Sequence, residues 1–315
     1  MQSSSRALRL ALVIGLCGTL AACGWVDKLK AQRAFKDANG SYKLADYKKA
    51  VEHYQEAIRL NPELTSALFY LANSYDNLYK PARAGEPDND AMLTKALEYY
   101  EDAYEKDPNP DIRKLALKYM VAAYGAERLN QPEMAEPLIQ KMVELDPKDA
   151  TNYFALAKLY EDNGQYDEAE KQLLKAKEVQ PSLPDVYMQL AGYYNRQGDF
   201  EKTIAALQER TTLEANNPEA FYTISTFYWD KAFRDVRLDD AQKTDYAKRG
   251  LEAADKAISL NPNYMEAITY RGLLLRVLAG VEKNADRQKA LLKDADAMQA
   301  KALEIRKQRA AGITQ

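Results

Sequence analysis

A 34-residue period constrains this chain more than any other feature. Lys148 to Pro181 reads KDATNYFALAKLYEDNGQYDEAEKQLLKAKEVQP and places Tyr153, Leu156, Ala157 and Tyr160 at the i, i+3, i+4, i+7 spacing of one helix face. Asn163-Gly164 ends that helix, because glycine enters the left-handed conformation without steric cost. Ala169, Leu173 and Ala176 mark the apolar face of a second helix, which stops before Pro181. The small Ala157 and Ala169 let the two axes approach closely, and the larger side chains fill the space around them. Such a pair cannot bury its second apolar face alone, so it needs copies of itself as neighbours.

The copies are present. Pro147 to Pro181 is 34 residues, and another 34 reaches Ala215, just before Asn216-Asn217-Pro218. Tyr187, Leu190, Ala191 and Tyr194 repeat the opening pattern, and Gly198-Asp199-Phe200 repeats the turn. Ala50, Tyr54, Ala57 and Pro62 stand in the places of Ala169, Leu173, Ala176 and Pro181. On these residues the chain resembles the tetratricopeptide repeat, a helix–turn–helix unit of about 34 residues. The resemblance implies an all-α, right-handed solenoid of about seven repeats spanning residues 23–315. A polar stretch over 285–310 resembles the solvating cap that closes such an array.

Two units are too long. Pro62 to Pro108 is 46 residues, with the excess at 78–90, where Pro81, Gly85 and Pro87 argue against regular structure. A second insertion occupies 229–245. The third unit, Pro108 to Pro147, matches least well. Its faces are Leu117, Met120, Val121 and Tyr124, then Ala135, Ile139 and Met142.

Residues 1–22 read as an export signal: Arg6 and Arg9 precede an apolar run from Leu10 to Ala22 that is too short to span a bilayer. Leu20-Ala21-Ala22-Cys23 resembles the bacterial lipobox, in which Cys23 becomes the lipidated first residue. Cleavage after Thr19-Leu20-Ala21 as an ordinary signal is the alternative. Gly24 after the cysteine fits sorting to the outer membrane, as the lipoprotein resemblance implies. Trp25 either sits at the headgroup level or caps the first helix. Loss of the leader leaves Cys23 as the sole cysteine, so no internal disulfide can form.

Without the leader the chain has 42 basic and 47 acidic residues, a net charge of −5. That balance, with no basic stripe, argues against nucleic acid as a partner. The single histidine, His53, has no cysteine to join it in a metal site, and no nucleophile elbow, P-loop or dinucleotide fingerprint occurs. No enzyme, metal or cofactor is therefore expected.

In tetratricopeptide arrays the residue after the leading packing residue of each first helix faces a concave groove. The resemblance puts Phe35, Phe69, Phe154, Met188 and Tyr222 there, the last three at 34-residue steps. Asn39, Asn73, Lys158 and Thr226 lie one turn further, Arg196 on a neighbouring turn, and Trp229 at the insertion-bearing edge. These rings either line an open groove or pack between repeats. One member class clamps C-terminal carboxylates with basic residues and asparagines; Phe35, Phe69 and Tyr70 depart from that pattern. The expected function is a non-enzymatic adaptor, lipid-anchored and facing the periplasm, that holds a protein or extended peptide. The alternative is a receptor for a small ligand or glycan, with an enzyme as the third reading.

Overall fold

Four turns share one backbone device. At Gly164 and Gly198, 34 residues apart, φ is +73° and +77°, and the next residue donates its N–H back to a tyrosine carbonyl: Gln165 to Tyr160 at 2.8 Å, Asp199 to Tyr194 at 2.9 Å. Asn130 (φ 50°) and Ala45 (φ 57°) occupy the equivalent position in two further turns, where Gln131 donates to Tyr124 and Asp46 to Ser41, both at 2.9 Å. Each device reverses the chain after a first helix and launches a second.

The computed structural model describes residues 25–312, apart from Ala126. The leader 1–22 and Cys23 lie outside the described residues. Within them the helices form consecutive antiparallel-type pairs: α1 (25–43) with α2 (Tyr47–Leu60), α3 (Ser66–Leu78) with α4 (Pro87–Lys106), and α5 (Pro110–Tyr124) with α6 (Pro132–Leu145). They continue as α7 (Ala150–Asp162), α8 (Tyr166–Val179), α9 (Pro184–Arg196), α10 (Phe200–Leu213), α11 (Pro218–Arg234), α12 (Asp240–Leu260), α13 (Met265–Val281) and α14 (Ala285–Ala310). The chain divides into two units, residues 1–169 and 170–315, with the division inside α8.

In the first unit each helix from α2 to α7 packs on the next in sequence. Ala50, Ala57, Ala96 and Ala103 are fully buried, and these small residues bring the axes together. The large rings of Tyr54, Phe69, Tyr100 and Tyr119 fill the remaining space, with Phe69 lying 5.6 Å from both Tyr100 and Tyr119. Their hydroxyls close a polar chain: Tyr42 donates to Asn73 Oδ1 at 2.6 Å, Asn73 Nδ2 to the Tyr100 oxygen at 3.0 Å, and Tyr100 to Asp76 at 3.2 Å. Arg128 completes it with an ion pair to the buried Asp76.

The insertion at 78–90 is more regular than its prolines suggest. Pro81–Arg83 forms a 3₁₀ turn and Pro87 is the first residue of α4, where a missing N–H costs nothing. Asn89, 5% exposed, accepts from Lys80 N–H at 2.8 Å and donates to the carbonyls of Lys80 and Arg83. Its side chain thus satisfies backbone groups that the turn leaves unpaired.

In the second unit α9 packs on α10, α11 on α12, and α13 on both α12 and α14. Helix α13 also touches α11, so first helices lie side by side. Glycine permits two close approaches. A Cβ at Gly250 would lie 2.8 Å from Leu274 Cδ2, and one at Gly272 would lie 3.2 Å from Met298 Cβ. The insertion at 229–245 is also mostly helix: α11 continues to Arg234 and α12 starts at Asp240, leaving 235–239 as the irregular part. Asp235 pins this short loop through Arg237 and Lys231, and those bonds hold its carboxyl well below the usual range. The α14 cap falls where the polar pattern places it.

Candidate binding groove

The 34-residue step also governs the tyrosines. Tyr153 donates to the Pro147 carbonyl at 2.9 Å, and Tyr187 donates to that of Pro181 at 2.7 Å. Tyr160 reaches Glu136 at 2.7 Å and Tyr194 reaches Glu170 at 2.9 Å. Burial and Glu136 push the Tyr160 phenol up to about 12, and burial with Glu170 raises Tyr194 as well. These rings belong to packing between repeats rather than to a binding surface.

Phe69 and Asn73 belong to packing too, which corrects their placement in a groove. Both are 4% exposed, Phe69 because its ring enters the aromatic core and Asn73 because it bridges Tyr42 and Tyr100. Phe35 is half-buried with its ring 5.9 Å from Tyr54, and Asn39 accepts the Tyr54 hydroxyl at 2.6 Å. Phe154 is half-buried. Lys158 is exposed, pairs with Asp162 and borders a hollow of 230 Å³ with Tyr124 and Ile139.

In the second unit, three hollows adjoin along the first helices. One of 310 Å³ is lined by Asn195 of α9, Thr226, Trp229, Asp230 and Arg234 of α11, and Tyr270 of α13. The next, 380 Å³, shares Trp229 and adds Phe233, Lys243, Leu273, Arg276 and Val277. The third, 340 Å³, shares Leu273 and Arg276 and runs between α13 and α14 past Met265, Leu303 and Arg306. Shared walls make them one groove.

Its floor is aromatic and aliphatic. Tyr222 is half-buried, edge-on to Tyr264 at 5.4 Å and to Tyr270 at 5.5 Å. Tyr270 meets Trp229 at 5.4 Å, and Trp229 stacks on Phe233 at 5.2 Å with an interplanar angle of 11°. The ladder ends in solvent, where Phe233 is 61% exposed. Burial, then Glu219 and Glu266, push the Tyr264 phenol up to about 12, so it stays neutral at ordinary pH. Polar groups edge the floor: Arg234 pairs with Asp230 at 2.8 Å, and Arg276 reaches Asp296 at 2.7 Å and Gln299 at 3.0 Å.

Of the residues expected to bind, Thr226 and Trp229 line the groove directly, and Tyr222 supports it from one end. Met188 is half-buried, its sulfur accepting from Arg210 at 2.9 Å, and Arg196 is exposed beside Gly192. Sequence reasoning missed Phe233 and Arg276. Phe233 follows Trp229 by one helical turn, a signal that was available. Arg276 follows Trp229 by 47 residues where Trp229 follows Asn195 by 34, so the insertion hides it from a strict period. Among the described residues no cluster of His, Cys, Asp and Glu is arranged to hold a metal. No described helix is long and apolar enough to cross a membrane.

Two stretches match tetratricopeptide-repeat family models, residues 138–171 and residues 41–64. None of the curated proteins matches the chain. Among solved structures, the C-terminal part of a TPR repeat-containing protein from Cytophaga hutchinsonii aligns with a TM-score of 0.57 at 14% identity, covering 86% of this chain and 98% of that one. A tetratricopeptide repeat protein from Parabacteroides merdae gives 0.48 at 14% identity, over 85% of this chain and 99% of that one. YrrB, described as a TPR protein with an unusual peptide-binding site, gives 0.37 at 18% identity, over 75% and 88%. The first of these establishes the shared fold.

Proposed function

We propose that this tetratricopeptide-repeat protein is a non-enzymatic adaptor that holds an extended segment of a partner protein along α9, α11 and α13. The observation that carries the reading is the continuity of the three hollows through Trp229, Leu273 and Arg276. A row of pockets with an apolar floor and charged edges suits alternate side chains of an extended chain, while the edges orient its backbone and charges. Trp229 and Phe233 are the expected anchors, because aromatic rings dominate the energetics of such interfaces. The same reading has the mature chain begin at an acylated Cys23, facing the periplasm from a bacterial outer membrane.

Affinity capture from detergent-solubilised membranes, comparing wild type with Trp229→Ala and Phe233→Ala, tests the groove. An adaptor brings down one dominant protein, and both variants lose it. Phe233→Ala is expected to leave the melting temperature nearly unchanged, since the ring is mostly in water. Unchanged capture by both variants would refute the groove. The stacked Trp229–Phe233 pair, with its open outer ring, favours a second reading, a glycan receptor whose sugar rings lie on that face. Capture of no protein, together with retention on a glycan array, would select it. Mass spectrometry of the mature N-terminus tests the anchor: a diacyl or triacyl Cys23 is expected, and an unmodified residue there rules it out.

A further inference from the structure

The first helix carries a surface that the groove does not use. Helix α1 turns Ala31 and Ala38 into the core of the first unit, both fully buried, and half-buries Phe35. Its other side begins with Trp25, Val26 and Leu29, which are 66%, 41% and 51% exposed. Trp25 and Leu29 are one turn apart, and Arg33 and Lys36 continue the same exposed stripe. Large apolar side chains gathered at one helix end and left in water mark a contact surface.

The charges say what it meets. Helix α1 carries five cations against two acids, Asp27 and Asp37, in a chain whose formal net charge is −3. Lys28 pairs with Glu63 at 3.0 Å and Lys30 with Asp27 at 4.0 Å. Arg33, Lys36 and Lys43 make no ion pair among the described residues. A soluble polyanion would engage the cations and leave the apolar end in water. A lipid surface engages both: tryptophan and leucine enter at the headgroup boundary, and long cationic side chains reach the phosphates.

We propose that the exposed face of α1 lies on an anionic phospholipid surface, with Trp25, Val26 and Leu29 at the headgroup level and Arg33, Lys36 and Lys43 over the phosphates. This contact needs neither the groove nor acylation at Cys23. Beside one acyl chain, whose hold alone is marginal, it would be the second contact that stable anchoring requires.

The test uses the chain from Gly24 onward, which keeps every described residue and lacks the acylation site. It carries Trp229→Phe so that Trp25 is the sole remaining tryptophan. Circular dichroism first checks that each variant is folded. Co-sedimentation then compares phosphatidylcholine vesicles with vesicles that also contain phosphatidylglycerol. Binding to the anionic vesicles is expected to be at least about tenfold tighter, to weaken with salt, and to shift the Trp25 emission to the blue. Arg33→Glu with Lys36→Glu should lower that affinity by about tenfold or more, and Leu29→Ser should reduce the emission shift. Equal binding to both vesicle types, no binding, or binding without an emission shift would each overturn the proposal. None of these outcomes bears on capture by Phe233→Ala, so the two readings fail separately.

Discussion

Ala45 shows how much one residue's backbone can hold in reserve. It occupies the turn position that Gly164 and Gly198 fill elsewhere, at φ 57°. An L-residue with a Cβ pays roughly 1–2 kcal/mol in that conformation. Ala45→Gly is therefore expected to stabilise the protein by about 0.5–1 kcal/mol, after allowance for the greater freedom of glycine when unfolded. A higher melting temperature checks this, and a lower one would show that the turn is not under strain. The Gly164 and Gly198 turns were legible because their glycines lie 34 residues apart. The equivalent role of Ala45 was not, since alanine carries no turn signal of its own. The burial of Phe69 was hidden for a related reason: its spacing matches that of Phe35 and Phe154, yet it falls beside two large rings, Tyr100 and Tyr119, that surround it.

Among the elements, the segment between α5 and α6 depends on one ion pair. Arg128 projects from that connection to Asp76 on α3, whose side chain is 5% exposed. Removing the cation leaves a buried carboxylate with only Tyr100 among its printed side-chain partners. Arg128→Ala is expected to cost about 3 kcal/mol, against under about 1 kcal/mol for removing a surface pair such as Lys175–Glu178. Chemical denaturation of the two variants measures the difference, and equal small effects would contradict it. At this scale the helices were readable from periodicity and caps, but the insertions were not. Proline at 87 looked like a breaker because nothing in the sequence says that it begins a helix rather than interrupts one. The excess at 229–245 looked like a loop because helices longer than the repeat have no counterpart in the neighbouring units. That length also displaced Arg276 from the period and concealed its part in the groove.

Across the molecule, the tyrosines make stability depend on alkaline pH. Burial raises the phenols of Tyr54, Tyr100 and Tyr194, and brings Tyr160 in the first unit and Tyr264 in the second to about 12. The folded state thus favours their neutral form over an ordinary value of 10.0. Their contribution is complete below about pH 10 and is lost as the pH climbs from there through the folded values. Phenolate absorbance and helical dichroism recorded together should change in one cooperative step above that point. Phenolate forming fully while the helices persist would show that these rings are not integral to packing.

The packing of each helix on its neighbours in sequence also governs how the fold is reached. Nearly every contact between helices closes a short stretch of chain, and the Asp76–Arg128 pair, 52 residues apart, is a long reach by that standard. Little entropy of loop closure must be spent before a contact rewards it, so folding is expected to be fast. It can begin at the best-formed pair and spread in both directions. The regular pairs α7–α8 and α9–α10, with their glycine turns and tyrosine bonds at the 34-residue step, are the natural place to start.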